Sequence, residues 1–266
     1  MLIIGERINT SRSPINEAVE QRDAGAIQAE VRIQIEGGAD LIDVNAGSRR
    51  DSEVDDLLWL VEVIQAQFPE VRLCIDSPNP DSMARVLDTV RHRPMLNSTT
   101  GETSRLKAMG PVVRKGPCDI VALCIDDRGI PKTAEETVQN AVRLVSHLEE
   151  LGVDRSGIYL DPVIQAVSAN THAGVMALEA IQGIRAELEG VHVVSGLSNI
   201  SFGLPRRGLV NRTFLVLAMK AGLTAAILDP SDQRLMSALK AARLLLDQDP
   251  WCQAYTRAYR EGRLEV

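Results

Sequence analysis

Three polar residues stand where apolar runs give out: Asp76 after VRLCI, Asn97 after RPML and Asp161 after GIYL. An ionised carboxylate only accepts hydrogen bonds, whereas a carboxamide both donates and accepts. Two carboxylates and an amide therefore suit the edge of a flat heterocycle that shows an NH beside an amino group. A sugar or a metal ion would use the same groups. The pattern is wider than these three. LIIG leads to Glu6, Arg7 and Asn9, and ADLIDV leads through Asp43 to Asn45. DIVALCI stops at Asp126, VHVVSGL at Ser198 and Asn199, and TAAIL at Asp229. One strand-end Asp or Asn often does no more than cap a helix or shape a turn. Eight such ends predict a polar ring at one end of a barrel, which is where an eight-fold α/β barrel keeps its chemistry.

Elements that would position this ring alternate with the apolar runs. Amphipathic stretches begin with PINEAVEQRDAGAIQAEVRIQIEGG, whose closing glycine pair suits a helix end. SEVDDLLWLVEVIQAQF and PDSMARVLDTVRH follow, then TSRLKAMGPVVRKG, where glycine and proline predict a shortened or broken helix. TAEETVQNAVRLVSHLEELG opens with Thr133 and Glu136 at capping-box spacing. Three more stretches, THAGVMALEAIQGIRAELEG, GLVNRTFLVLAMKAG and SDQRLMSALKAARLLLDQ, complete eight βα units. Strands such as VALCI and HVVSGL are apolar almost throughout, as strands covered on both faces must be. The predicted fold is a single (β/α)8 TIM barrel spanning residues 1–266. An open doubly wound sheet is the competing architecture, and the chain has no GxGxxG after its first strand run to support it. WCQAYTRAYREGRLEV reads as a short outer helix, suited to a subunit contact.

At 266 residues, 45% hydrophobic and 24% charged, the composition is that of an ordinary globular protein. A net charge of −7 argues against nucleic acid as a partner, whose phosphates reward a basic face. Arg49–Arg50 and Arg206–Arg207 are too small to reverse that. No run of about 18 apolar residues predicts a membrane span. The chain begins on a strand-like LIIGERIN without a signal-peptide layout, so the cytoplasm is the expected location. Cys74, Cys118, Cys124 and Cys252 lack metal-ligand spacing, and Cys74 and Cys124 read as small core residues. No metal site is expected.

The seventh strand run is followed by GLSNISFGLPRRGLVNRTFL. Gly196 and Gly203 permit unusual backbone angles or close ligand approach. Ser198, Asn199, Ser201 and Asn211 supply neutral hydrogen-bonding groups, and Arg206, Arg207 and Arg212 supply charge. The loop offers no nucleophile beside a base. The four histidines, His92, His147, His172 and His192, lie elsewhere and read as surface or packing residues.

IGERIN, DVNAG, CIDSPNP, LNSTTGE, YLDPVI, GLSNISFG and VNRTFLVLAMKAGLTAAILDP occur together along nearly the whole chain. In this combination the sequence resembles the methyltetrahydrofolate:corrinoid/iron–sulfur protein methyltransferases. It is also similar to the folate domain of cobalamin-dependent methionine synthase and, more distantly, to dihydropteroate synthase. The resemblance implies that Asp76, Asn97 and Asp161 hold a pterin edge and that Asn199 hydrogen-bonds the methyl-bearing nitrogen of the folate. Glu6, Asp43, Asn45, Ser198 and Arg207 would line or support the site. The implied substrates are 5-methyltetrahydrofolate or tetrahydrofolate and the cobalamin-type corrinoid of a separate protein, and the implied assembly is a homodimer. One segment departs from the related chains: Phe202, Gly203, Leu204 and Pro205 stand where they carry a polar stretch, on the loop expected to face the methyl acceptor.

A Co(I) corrinoid is itself a strong nucleophile, so a methyltransferase of this kind needs no nucleophile of its own. It needs a donor at the departing nitrogen, whose hydrogen bond strengthens as charge builds. Dihydropteroate synthase would need a lysine in the strand-seven motif, and Ser195, Gly196, Ser198 and Asn199 include none. A non-catalytic pterin-binding module is the remaining alternative, since fold alone does not imply activity.

Overall fold

The computed structural model describes residues 1–49 and 51–265, so Arg50 of the Arg49–Arg50 pair and Val266 of the tail lie outside the described residues. Eight parallel strands run β1 (Leu2–Asn9), β2 (Leu41–Asn45), β3 (Arg72–Asp76), β4 (Met95–Thr100), β5 (Asp119–Leu123), β6 (Ile158–Asp161), β7 (His192–Val193) and β8 (Ala225–Leu228). Each pairs with its neighbour in sequence, and β8 returns to pair with β1 through Leu2↔Ala225 to Gly5↔Leu228. The last seam, β7 to β8, is short. Thr224 N–H donates to Val193 O at 3.0 Å and Ile227 N–H to Ser195 O at 2.9 Å, with one further bridge between Gly196 and Ile227. The expected barrel is therefore present.

Side-chain alternation along the strands separates two cores. Ile4, Leu41, Cys74, Met95, Val121, Tyr159, Val194 and Ala225 fill the barrel interior. The intervening residues, among them Ile3, Ile42, Val44, Leu73, Ile75, Leu96, Ile120 and Leu160, face out under the helices in one continuous apolar layer. Both faces of each strand are thus dry, which explains the unbroken apolar runs. The polar residues of the site continue the inward set: Ile4 to Glu6, Leu41 to Asp43 to Asn45, Cys74 to Asp76, Met95 to Asn97, and Tyr159 to Asp161.

The covering helices are α1 (Ser13–Glu20), α2 (Ala24–Gly37), α3 (Glu53–Gln67), α4 (Pro80–Leu87), α5 (Thr103–Val113), α6 (Ala134–Glu150), α7 (Ala173–Glu187), α8 (Arg207–Ala221), α9 (Gln233–Leu245) and α10 (Gln253–Arg260). Two sequence expectations change. The first amphipathic stretch is two helices, because Arg22 takes φ 54° and Asp23 starts α2 by accepting from Ala26 N–H at 3.0 Å. Gly110 and Pro111 do not break α5, which runs through Pro111 and ends two residues later at Val113. Thr133 caps α6 as its spacing predicts, accepting from Glu136 N–H at 3.1 Å. Glu136 reaches back to Lys132 N–H at 2.7 Å rather than to the cap residue itself.

Candidate active site

Strand register assembles the polar mouth. Asn45, Asp76 and Asn97 are paired positions on β2, β3 and β4 and form one row. Asn45 Nδ2 donates to Asp76 Oδ2 at 2.7 Å, and its Oδ1 accepts from Gly47 N–H at 2.9 Å. Asn97 Nδ2 donates down one level to Asp43 Oδ1 at 3.2 Å. Asn97 is not a strand end: β4 runs on to Thr100 through a register shift against β5. Glu6 likewise lies within β1, which is irregular between Gly5 and Ile8, whereas Asn9 is the last residue of that strand.

Burial dominates the electrostatics of this mouth. Asp43 is 2% exposed, and its carboxyl is pushed well above the usual range by desolvation and by the charge of Asp76. Asp76 is raised to about 6, chiefly by desolvation, against hydrogen bonds from Asn45 and Asp43. The two titrate as a coupled pair in which Asp43 keeps its proton and donates to Asp76. Asp161 is 7% exposed and raised to about 6 by burial, partly offset by Val163 N–H at 2.7 Å and by Gly196 N–H. Glu6 rises to about 7 through desolvation and the neighbouring Asp229 charge, with Arg12 and Arg207 opposing. A ligand presenting N–H donors would relieve these carboxyls by favouring their ionised forms.

Strand seven ends almost at once, and Leu197–Ser201 forms a 3-10 turn that carries Ser198 and Asn199 over the mouth. Asn199 is exposed, and a Cβ on Gly196 would stand 3.1 Å from its Nδ2, so the glycine makes room for the amide. Gly203 has φ 78°, as its position in the loop requires, whereas Gly196 has an ordinary φ of −69°. Arg207 ties the turn down, donating to Ser198 O at 2.7 Å and to Ser201 Oγ at 3.0 Å.

Several contributors were not evident from the strand-end pattern. Cys74 belongs to the barrel interior and hydrogen-bonds Asp43; its position two residues before Asp76 was the available signal. Arg105 of α5 donates to Pro78 O at 2.5 Å and to Ser98 O, clamping the loops after β3 and β4 together. Buried Glu53 accepts from Ser77 Oγ at 2.6 Å and Ser82 Oγ at 2.9 Å behind Asp76.

Asp229 and Asp126, unassigned by sequence, now separate. Asp229 accepts from Arg7 at 2.7 Å and from Ser231, and Arg7 also pairs with Glu30. It braces the mouth beside Glu6. Asp126 turns outward, pairing with Arg128 at 2.7 Å and Arg143 at 3.1 Å, and is held down to about 2 by those partners. It lines a cavity of about 550 Å³ with residues of α5 and α6, outside the barrel. Among the described residues, no group of His, Cys, Asp and Glu is arranged to hold a metal ion.

A family model described as pterin binding enzyme matches residues 5–229, a span that takes in Glu6 and ends at Asp229. The chain belongs to the pterin-binding enzyme family. Within that family it is 34% identical over 266 residues to the methylcorrinoid:tetrahydrofolate methyltransferase of Eubacterium limosum, covering 99% of this chain and 98% of that one. It is 29% identical over 244 residues to the methionine synthase of Mycobacterium leprae, a match that takes in 87% of this chain and 20% of that protein. Solved dihydropteroate synthases share the fold. That of Burkholderia cenocepacia, complexed with 7,8-dihydropteroate, superposes with a TM-score of 0.68 at 22% identity over 93% of each chain. A Xanthomonas albilineans dihydropteroate synthase superposes with 0.69 at 18% identity, over 94% of this chain and 93% of that one. The sequence resemblance to pterin-binding methyltransferases is thus matched by a relative aligned over nearly its whole length.

Proposed function

We propose that this pterin-binding enzyme is a methyltransferase that moves a methyl group between N5 of tetrahydrofolate and the cobalt of a corrinoid protein. The observation that carries the reading is the row of carboxyl and carboxamide groups at the barrel mouth, with buried Asp161 nearby and the free amide of Asn199 above. Full-length similarity to a methylcorrinoid:tetrahydrofolate methyltransferase supports the choice of reaction. Asp76, Asn97 and Asp161 hold the pterin edge, and Asn45, Asp43 and Glu6 set the charge around it. Ser198 and Arg207 fix the turn that presents Asn199.

In the demethylating direction the N5–CH3 bond breaks, the Co(I) electron pair takes the methyl group and N5 gains a proton. In the reverse direction the nitrogen pair attacks the methyl carbon, cobalt recovers both electrons and N5–H loses its proton. Asn199 Nδ2 donates to N5 as its charge grows, a bond stronger in the transition state than in the ground state. No group of the protein has to become covalently bound. The strand-seven segment Ser195–Ser201 contains no lysine, which leaves dihydropteroate synthesis without the residue that reading requires.

Mixing the protein with methyltetrahydrofolate and free cob(I)alamin, or tetrahydrofolate with methylcobalamin, tests the reading through the cobalt absorbance. Methylcobalamin should appear in the first mixture and be consumed in the second; no change in either overturns the assignment. The four free cysteines suit a reducing compartment, and with it we propose a cytoplasmic location. We also propose a homodimer. Among the described residues no helix is long and apolar enough to cross a membrane.

A further inference from the structure

Arg206, Arg207, Arg212 and Arg234 line one groove of about 550 Å³ beside the barrel mouth, with Asp232 as the only acid among the described residues that line it. The chain as a whole carries −7, so this concentration of positive charge runs against its average. Among the described residues Arg206, Arg207 and Arg212 form no ion pair, and Arg234 meets only Glu265, at 4.0 Å. Asp232 is occupied in capping α9, accepting from Leu235 N–H at 3.0 Å. Arg206 begins α8 at φ 55° with no side-chain cap and no acid in the first turn, so the free N–H groups of that helix add to the positive field.

The groove meets the site at Arg207. Arg207 lines it and also holds Ser198 O, one residue from the amide assigned to N5, and its charge is felt at Glu6. A folate held by its pterin edge in the barrel and by N5 at Asn199 must send its p-aminobenzoyl-glutamyl tail out over the strand-seven turn. Each γ-linked glutamate of such a tail presents a carboxylate. Arginine forks match carboxylates in geometry as well as charge.

We propose that this groove binds the glutamyl carboxylates of the folate tail and makes the enzyme prefer γ-polyglutamylated tetrahydrofolates. The proposal rests on the pterin site described above. It assigns Arg212 and Arg234 to recognition of the tail and leaves the pterin contacts unchanged.

Calorimetric titration with methyltetrahydrofolate as the monoglutamate and as the triglutamate, and with a tail-less tetrahydropterin, tests it. The triglutamate should bind about tenfold more tightly than the monoglutamate, the sum expected of a few exposed charge pairs. That preference should shrink as salt shortens the screening length. R212Q/R234Q should reduce the preference to within about twofold while leaving tetrahydropterin affinity and far-UV circular dichroism unchanged. Equal binding of the two folates by the wild type overturns the proposal, as does a preference that survives in R212Q/R234Q. If R212Q/R234Q keeps the preference but transfers methyl groups poorly with the corrinoid protein, the groove belongs to the protein partner instead. Failure of the tail-less pterin to bind would sink the pterin site itself, whereas its binding without a tail preference sinks only the groove.

Discussion

Asn199 and Asp161 face the same ligand but are asked for different things, and their substitutions should separate accordingly. Asn199→Ala removes a donor whose bond grows only as the methyl group moves. Single-turnover transfer should fall about 10²-fold, with methyltetrahydrofolate affinity nearly unchanged; a rate within about twofold of wild type would deny the amide its role. Asp161 instead binds, and its pKa near 6 gives the binding a pH signature. Its ionised form accepts from the ligand, so affinity should fall as pH drops through 6, and Asp161→Asn should weaken binding and flatten that dependence in calorimetry. Stability moves the other way. A carboxyl with a raised folded pKa holds a proton that the unfolded chain releases earlier, so its stabilising contribution is complete below about pH 4 and lost as pH rises through 6. At neutral pH Asp161→Asn should therefore unfold at higher urea, by the equivalent of about 2–3 kcal/mol. A variant both weaker in binding and less stable at neutral pH would contradict the buried-charge account. Asp76, Asn97 and Asp161 were legible in the sequence because each extends an inward-facing alternation. Asp126 follows the same rule of a polar residue after an apolar run, yet it leaves the barrel with the loop beyond β5.

At the scale of elements, the strand-seven turn and the α2 terminus each rest on a glycine whose need is steric. Gly196 has no unusual φ; what it provides is space under the Asn199 amide. Gly196→Ala should push that amide aside and slow methyl transfer by about tenfold or more with the fold intact, since a displacement of this kind is costly in a reacting geometry. Unaltered transfer would mean that the amide has room to spare. A Cβ on Gly37 would collide with the Pro230 carbonyl, where α2 passes the end of β8. Gly37→Ala should lower the urea midpoint by about 1–3 kcal/mol, the usual cost of overpacking. Gly37 and Pro230 are far apart in sequence, and Gly196 meets Asn199 only through the conformation of the turn, so neither contact was visible before the fold. The same holds for the break between α1 and α2. Apolar periodicity runs through it, and the Asp23 cap that marks it looks like any other polar residue on an exposed face. Strand seven was legible only as an apolar run. Its early exit into a 3-10 turn follows from pairing with β8 through Ser195 and Gly196, which one strand's composition does not record.

At the scale of the whole molecule, eight successive strand pairings close a barrel whose inner and outer layers are both apolar, leaving the mouth as the place where burial and charge meet. The opposite demand appears at the C-terminal end. Leu245, Trp251 and Tyr259 are 82%, 91% and 73% exposed, on α9, the turn after it and α10, which packs against α9. Large apolar side chains so exposed on neighbouring elements are the kind of surface that a partner chain would cover. The proposed homodimer would place this surface at its interface, and a stable dimer needs about 800 Å² from each partner. Light scattering behind size exclusion should give twice the mass of the 29.0 kDa chain. Trp251→Glu with Tyr259→Glu should shift that mass to the monomer, because a buried unpaired carboxylate on each side of the interface has no partner. Both residues lie on the outer helical layer, so the monomer should retain pterin binding at the barrel mouth. A wild-type protein of monomer mass would refute the dimer, and a dimer unmoved by both substitutions would relocate its interface away from α10.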